Sequence, residues 1–180
     1  MPGNRDFLLG ERFLHASGMA GIGDPTVLVF GGARWLLSHG DALCLDDVPY
    51  QQFRRVVRDP AWQRDVLARS LADRRALARH IREQGTRTAG DDPRDYADVD
   101  PEAARQWLQA ARALTLIHGH THRPGEHDLE PVAIHGQSDA NEPAGLRRIV
   151  LSDWDVGARP ARAQVLRLTG GGLQRVDIVS

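Results

Sequence analysis

At 180 residues and a net charge of −1, the chain suits one domain with a real core and shows no bulk electrostatic pull toward nucleic acid. Hydrophobic residues make up 41% and charged residues 26%, the profile of a soluble globular protein, and no run approaches the roughly 20 apolar residues of a membrane span. A single cysteine, Cys44, excludes an internal disulfide, and the stretch from Met1 to Gly10 lacks the long apolar core of a secretory signal.

In chain order, Phe7 to Met19 reads as a short helix with Phe7, Leu8, Phe13 and Leu14 on its apolar side and Asp6 as its cap. Val27 to Phe30 and Arg34 to Leu37 read as two strands joined at Gly31-Gly32, a hairpin signal. Ser38-His39-Gly40-Asp41 follows the second strand. Two helices are expected next, from Tyr50 to Arg58 and, after the cap Asp59 and first-turn Pro60, onward to about Glu83. The second is dense in arginine, which reads as a solvated helix face or as a basic lid over an anionic substrate. All 23 basic residues are arginine.

Gln84 to Tyr96 is polar and glycine-rich and is expected to be loop. A helix restarts at Asp98 to Pro101 and ends near Ala113. Leu114 to Ile117 is a short buried strand running into His118-Gly119-His120-Thr121-His122. Arg148 to Leu151, Ala163 to Leu168 and Leu173 to Ile178 alternate with period two, as closing antiparallel strands would, with Gly170-Gly171-Gly172 as a turn. The pattern is mixed α/β, with histidine-bearing loops at strand ends, where such folds place their chemistry.

The strongest chemical signal is the histidine run. Alternate histidines on an extended backbone put side chains on one side, where two imidazoles can face one metal ion or a neighbouring pair. Gly119 removes bulk where backbone approaches. His39 sits in S-H-G-D at another strand end. Asn4, in G-N-R-D, can ligate a hard cation through its amide oxygen, and such a mixed N/O set suits manganese or a similar divalent ion. Arg5 beside it can clamp a phosphate bidentately. His127 lies close enough in sequence to reach the same place. His15, His80 and His135 read as surface or packing residues, Trp154 as core, Cys44 as a small buried residue, and Asp153 as a carboxylate that orients a ligand histidine.

Gly3-Asn4-Arg5-Asp6, His39-Gly40-Asp41 and Gly119-His120-Thr121-His122 occur in the order found in calcineurin-like metallophosphoesterases, which the chain therefore resembles. Three longer stretches narrow the match: Gly3 to Gly10, His39 to Asp47 with Tyr50-Gln51, and Ile117 to Pro124. Together with Val150 to Trp154, they resemble the UDP-2,3-diacylglucosamine hydrolase family over nearly the whole chain. The resemblance implies a layered α/β/β/α sandwich as one domain over residues 1–180, with a helical lid insertion at residues 50–100.

It also implies that Asn4, His39 and His120 hold one Mn2+ and that His122 belongs to a second. Substrate contacts fall to Asn4, Arg5, Asp47, Tyr50 and His120, with His120 and Asn4 at the reacting phosphate. The implied reaction cleaves the pyrophosphate of UDP-2,3-diacylglucosamine to UMP and 2,3-diacylglucosamine 1-phosphate for lipid A assembly. The implied setting is the cytoplasmic face of the bacterial inner membrane, with the protein peripheral on it.

The family's D-x-H and G-D motifs, which precede G-N-R-D and supply most ligands of the first metal, are missing before Met1-Pro2-Gly3. The expectation is a truncated gene product or a start that lies upstream, with the first metal site mostly absent and a sheet edge exposed. In the insertion, Gly85 stands about where the family carries a serine, no lysine occurs, and Arg87 is the residue that could replace the charge. Two other readings stay open at this point: a metallophosphoesterase for another phosphodiester, and an inactive metal-binding remnant.

Overall fold

The computed structural model of the protein describes residues 1–88, 97–129 and 145–178. Its centre is a five-stranded mixed sheet of β1 (Thr26–Phe30), β2 (Ala33–Ser38), β3 (Thr115–His118), β4 (Gly125–Asp128) and β5 (Arg147–Val150), in the order β1-β2-β3-β5-β4. The hairpin expected at Gly31-Gly32 is present, and both glycines have positive φ (61° and 75°), as a tight two-residue turn requires. The inner strands β2, β3 and β5 run parallel. For β5 the antiparallel expectation holds against β4 but not against β3, to which it runs parallel because the chain between residues 118 and 147 is long enough to return it in that direction. The antiparallel expectation holds for β6 (Gln164–Thr169) and β7 (Gly172–Asp177), which pair as a separate hairpin. Strand β4, Gly-Glu-His-Asp, has no apolar alternation and was invisible to periodicity; pairing with β5 makes it a strand.

Among the described residues five α-helices accompany the sheet: α1 (Glu11–Ala16), α2 (Val48–Val57), α3 (Pro60–Ala68), α4 (Leu71–Thr88) and α5 (Pro101–Ala111). Helix α1 is shorter than expected at both ends. Asp6 turns its carboxylate back to the Gly3 amide instead of capping the helix, and Gly18, at φ 67°, closes it with Met19 N–H bonded to Leu14 C=O. The arginine-rich segment is two helices, not one. Arg69 is extended (ψ 161°), and the Ser70 hydroxyl caps α4, accepting from Asp73 N–H at 3.2 Å. Residues 84–88, expected as loop, continue α4, while 89–96 lie outside the described residues. The cap Asp59 holds as expected, accepting from Trp62 N–H at 2.8 Å, and within the expected restart it is Asp100 that caps α5, accepting from Ala103 N–H at 2.7 Å. Within residues 71–83 of α4, all but Arg74, Leu77 and Ile81 are exposed.

The sheet pleat sorts side chains to two faces. Leu36 and Leu116 point toward α5 and pack with Leu43, Cys44, Val99, Ala104, Leu108 and Leu146. Leu28, Leu37 and Ile117 point the other way, toward the β6–β7 hairpin, across a groove of about 480 Å³. Trp154, expected in the core, instead lies 63% exposed at the rim of this groove, its indole N–H donating to Gln164 C=O at 2.8 Å. Arg175 pins the hairpin to the sheet through the carbonyls of Gly125 and Val150 (2.9 and 2.7 Å). Strand β1 is an edge, with Leu28, Val29 and Phe30 exposed. Among the described residues no helix is long and apolar enough to cross a membrane.

Leu108, fully buried between α5 and the sheet, tests this account of the core. Leu108→Ala is expected to destabilise the protein by about 2–5 kcal/mol in urea unfolding; an unchanged midpoint would mean that α5 does not pack as described.

Candidate functional site

Parallel pairing of β2 and β3 sets Ser38 beside His118, so the loops that follow both strands leave the sheet side by side. Gly119 N–H donates to His39 C=O at 3.1 Å and ties them together. Gly40 makes the approach possible. Its φ is 105°, and a Cβ there would lie 2.9 Å from His118 Nδ1 and 3.2 Å from Gly119 O. At Gly119 a Cβ would meet only His39 O, at 3.8 Å, so the close approach expected at Gly119 belongs to Gly40.

The histidine run is not extended, which corrects the one-sided arrangement read from its spacing. His120 and His122 have φ of 66° and 52°, and Thr121 N–H reaches back to Gly119 C=O at 2.8 Å. Each histidine therefore takes its own direction: His118 is fully buried, His120 half-buried and His122 exposed. Left-handed conformations outside glycine are uncommon and tend to gather at functional sites.

Three of the candidate residues come together. The rings of His39 and His120 stand 5.1 Å apart, centroid to centroid, at 64°. His39 Nε2 lies 3.2 Å from Asn4 Oδ1 and also 3.2 Å from the Asn4 backbone nitrogen. One imidazole nitrogen cannot serve both contacts, because the amide N–H needs a bare lone pair and the carbonyl oxygen needs a proton. Nε2 can give its one lone pair to the Asn4 N–H or to a cation shared with Oδ1, so binding a cation here would displace the N–H contact. Among the described residues, no three His, Cys, Asp or Glu side chains converge closely enough to hold an ion by themselves, so the amide of Asn4 is needed to complete a set with His39 and His120.

The helices hold this cluster from the side. The Arg58 guanidinium donates to the carbonyls of Pro2 and Gly3, both at 3.1 Å, and Gln63 donates to Phe7 C=O at 3.1 Å. Phe7 packs against Phe53 and Trp62, with centroids 6.2 and 6.0 Å away. The Asn4 loop is thus fastened to α2 and α3. Arg5 beside it is exposed. The Tyr50 ring stacks 5.5 Å from His120, and its hydroxyl donates to Asp41 Oδ2 at 2.6 Å. Asp47 accepts from Tyr50 N–H at 3.0 Å, so this carboxylate caps α2.

Asp41 was not singled out from the sequence, although it is the last residue of the quoted H-G-D motif. It is completely buried, receives Tyr50 and Arg54 on Oδ2, and leaves Oδ1 unpartnered. Burial alone would raise its pKa, but the Tyr50 hydroxyl and Arg54 outweigh it and the group stays ionised below the usual carboxylate range. Tyr50 is raised, by burial first and then by its bond to Asp41. Burial lowers His39, against the pull of Asp41 and Asp24. Burial, and then the neighbouring His39, lowers His120 to about 4; His118 is also lowered to about 4, chiefly by burial. Neutral imidazoles are the form that binds cations. Cys44 is pushed up to about 12 by burial, with Asp98 and Asp41 adding to it, which agrees with an inert thiol.

Of the remaining candidates, Asp153 accepts from Arg162 at 3.0 Å and lies near enough to His122 for its carboxylate to feel that ring. His127 sits on the edge strand β4 opposite Arg148, with Nε2 buried and unpartnered among the described residues. His15 and His80 are exposed, and His135 falls outside the described residues. Gly85 lies within α4, and the side chain of Arg87 falls outside the described residues.

A mixed sheet with helices, whose strand ends carry a histidine loop and an H-G-D loop, is consistent with a metallophosphoesterase-like fold. No family model matches the chain. A UDP-2,3-diacylglucosamine hydrolase of Chromobacterium violaceum is 44% identical over 179 residues, which is 99% of this chain and 68% of that protein. Proteins of the same name from Aromatoleum aromaticum and Bordetella pertussis are 44% and 39% identical, over 86% and 98% of this chain. The chain belongs to the UDP-2,3-diacylglucosamine hydrolase family. It spans between 59% and 68% of the length of these relatives.

Acid stability gives a direct check on the buried imidazoles. His118 and His120 bind protons more weakly in the folded than in the unfolded chain, so stability is full near neutrality and falls as pH drops from about 6.5 toward 4. The slope is at most about 1.4 kcal/mol per pH unit for each histidine. Thermal melting of the metal-free protein between pH 7.5 and 4.5 is expected to show this loss. A flat melting temperature would place both rings in water.

Proposed function

We propose that the chain acts as a metal-dependent hydrolase of UDP-2,3-diacylglucosamine, releasing UMP and 2,3-diacylglucosamine 1-phosphate in lipid A synthesis. Its support is twofold: relatives bearing that hydrolase name match 86–99% of the chain, and Asn4 and His120 each lie against His39. That pair of contacts is the observation that carries the reading.

Asn4 Oδ1, His39 Nε2 and the His120 ring would hold one divalent cation, with Mn2+ as the expected ion, and exposed His122 would belong to a second. A bound cation would supply Lewis-acid polarisation of the phosphate oxygens and a water acidic enough to attack phosphorus. The protein's own share is binding and orientation. Arg5, exposed beside Asn4, is free to fork onto a phosphate and stabilise charge that grows as the anhydride bond breaks. The Tyr50 ring flanks His120 and limits how that imidazole can turn. Asp47, fixed as a helix cap, keeps its other oxygen for a sugar or uridine hydroxyl. Buried Asp41 leaves one unpaired oxygen and places negative charge close enough to be felt by both site imidazoles.

Residues 50–100, with the arginine-rich face of α4, form the lid over the acyl chains in this reading, and the lipid substrate places the protein peripherally on the cytoplasmic face of the inner membrane. No nucleic acid is involved.

The test is release of UMP from UDP-2,3-diacylglucosamine by the purified protein with Mn2+, run beside a generic aryl phosphodiester. Release of UMP is expected, with Arg5→Ala lowering kcat by about 10²-fold or more and His120→Ala abolishing both turnover and cation binding. Cleavage of the aryl ester alone would leave a metallophosphoesterase of another specificity. Full cation binding by His120→Ala would remove that residue from the site.

A further inference from the structure

His118 opens the H-G-H-T-H run, yet it is fully buried and has no part in the chemistry proposed above. Its ring is nonetheless the end of a chain of polar contacts crossing the core face of the sheet. Asp98 receives Arg148 bidentately, at 2.9 and 2.8 Å, and Arg148 Nη1 lies 3.4 Å from His118 Nε2. His118 Nδ1 lies 2.9 Å from Gly119 O. A guanidinium has no acceptor, so Nε2 facing it must be bare, and Nδ1 must carry the proton donated to Gly119 C=O. The same carbonyl accepts Thr121 N–H at 2.8 Å, closing a three-residue turn centred on His120 at φ 66°. The N–H of Gly119 is fixed on the other side by His39 C=O.

We propose that Arg148, locked by Asp98, is a positioning residue: it selects the His118 tautomer that grips the Gly119 carbonyl, and so bends the chain and aims His120 at Asn4 and His39. The functional meaning of this clamp rests on the metal-site reading above; the clamp itself does not. Without the Nδ1–H bond, one of the two donors holding the turn is lost, and His120 is free to leave the left-handed region, which favours few side chains other than glycine. The planar fork matters as well as the charge, because a lysine ammonium cannot span both Asp98 oxygens and still present a flat donor to the ring. Asp98 stands at the chain's return from the helical segment, where it pairs with Arg148 on β5 at 2.8 Å and, more loosely, with Arg123 just past the histidine run at 3.7 Å.

The experiment uses metal-free protein with 15N-labelled histidine, comparing the native chain with Arg148→Lys and Asp98→Asn. Long-range proton–nitrogen correlation spectra report which His118 nitrogen carries the proton. The native protein is expected to show a protonated Nδ1 and a bare Nε2. Both variants are expected to show a mixture of tautomers, together with displaced His120 resonances. If one variant does not fold, the other makes the same comparison. Mn2+ titration of the same samples is expected to show a loss of affinity of roughly 10–100-fold. Unchanged His118 and His120 spectra in a folded variant overturn the clamp, whatever the metal result. Native protein that binds no Mn2+ while the two histidines move together in the variants sinks the metal reading and leaves the clamp standing.

Discussion

The parallel registry of β2 on β3 is the constraint on which the site depends. It aligns Ser38 with His118, so that two loops distant in sequence begin at the same edge of the sheet and run beside each other. A slip by one residue would turn Leu36 and Leu116 out of the core, so hydrophobic burial enforces the same alignment that the site needs. The glycine at 40 then lets the two backbones touch, where any side chain would strike the His118 ring. Once those loops are joined, the His39–His120 contact follows. Asn4 is brought to it from the other side by a loop that Arg58, Gln63 and the Phe7 ring fasten to the helices.

That second fastening means the helical segment does more than cover. Arg54 and Tyr50 on α2 hold Asp41, and Arg58, one turn further along, lies 3.8 Å from the same oxygen while it grips Pro2 and Gly3. One buried carboxylate therefore connects α2, the H-G-D loop and the start of the chain. A buried charge of this kind adds little net stability, but removing one of its partners is costly. The cluster is tied together beside Asn4, His39 and His120, while Arg5 and His122 are exposed.

The sequence made legible the features that depend on near neighbours. Gly31-Gly32, Asp59-Pro60 and Asp100-Pro101 announce a turn and two helix starts through local backbone chemistry, and each stands where expected. The strand ends at His39 and His118 were equally plain. Ser70 was readable too, since Ser-Leu-Ala-Asp is a capping pattern, but a continuous run of helix-forming residues masked the break. What escaped was set by distant partners. Strand β4 exists because β5 pairs with it, and Trp154 is exposed because the hairpin leaves it at a rim. At His120 a left-handed turn replaces an extended backbone, with the Thr121 N–H and the His118 ring both on the Gly119 carbonyl, and no spacing rule reports that. Asp98 and Arg148 lie 50 residues apart, and only the folded sheet brings them together.

The central claim is that Asn4, His39 and His120 share one cation. Crystals of the protein grown with Mn2+, with anomalous data collected at the manganese edge, test it most directly. A single strong peak within bonding distance of Asn4 Oδ1, His39 Nε2 and a His120 ring nitrogen is the predicted result. A peak bound elsewhere, with those three side chains hydrogen-bonded only to one another, would contradict it.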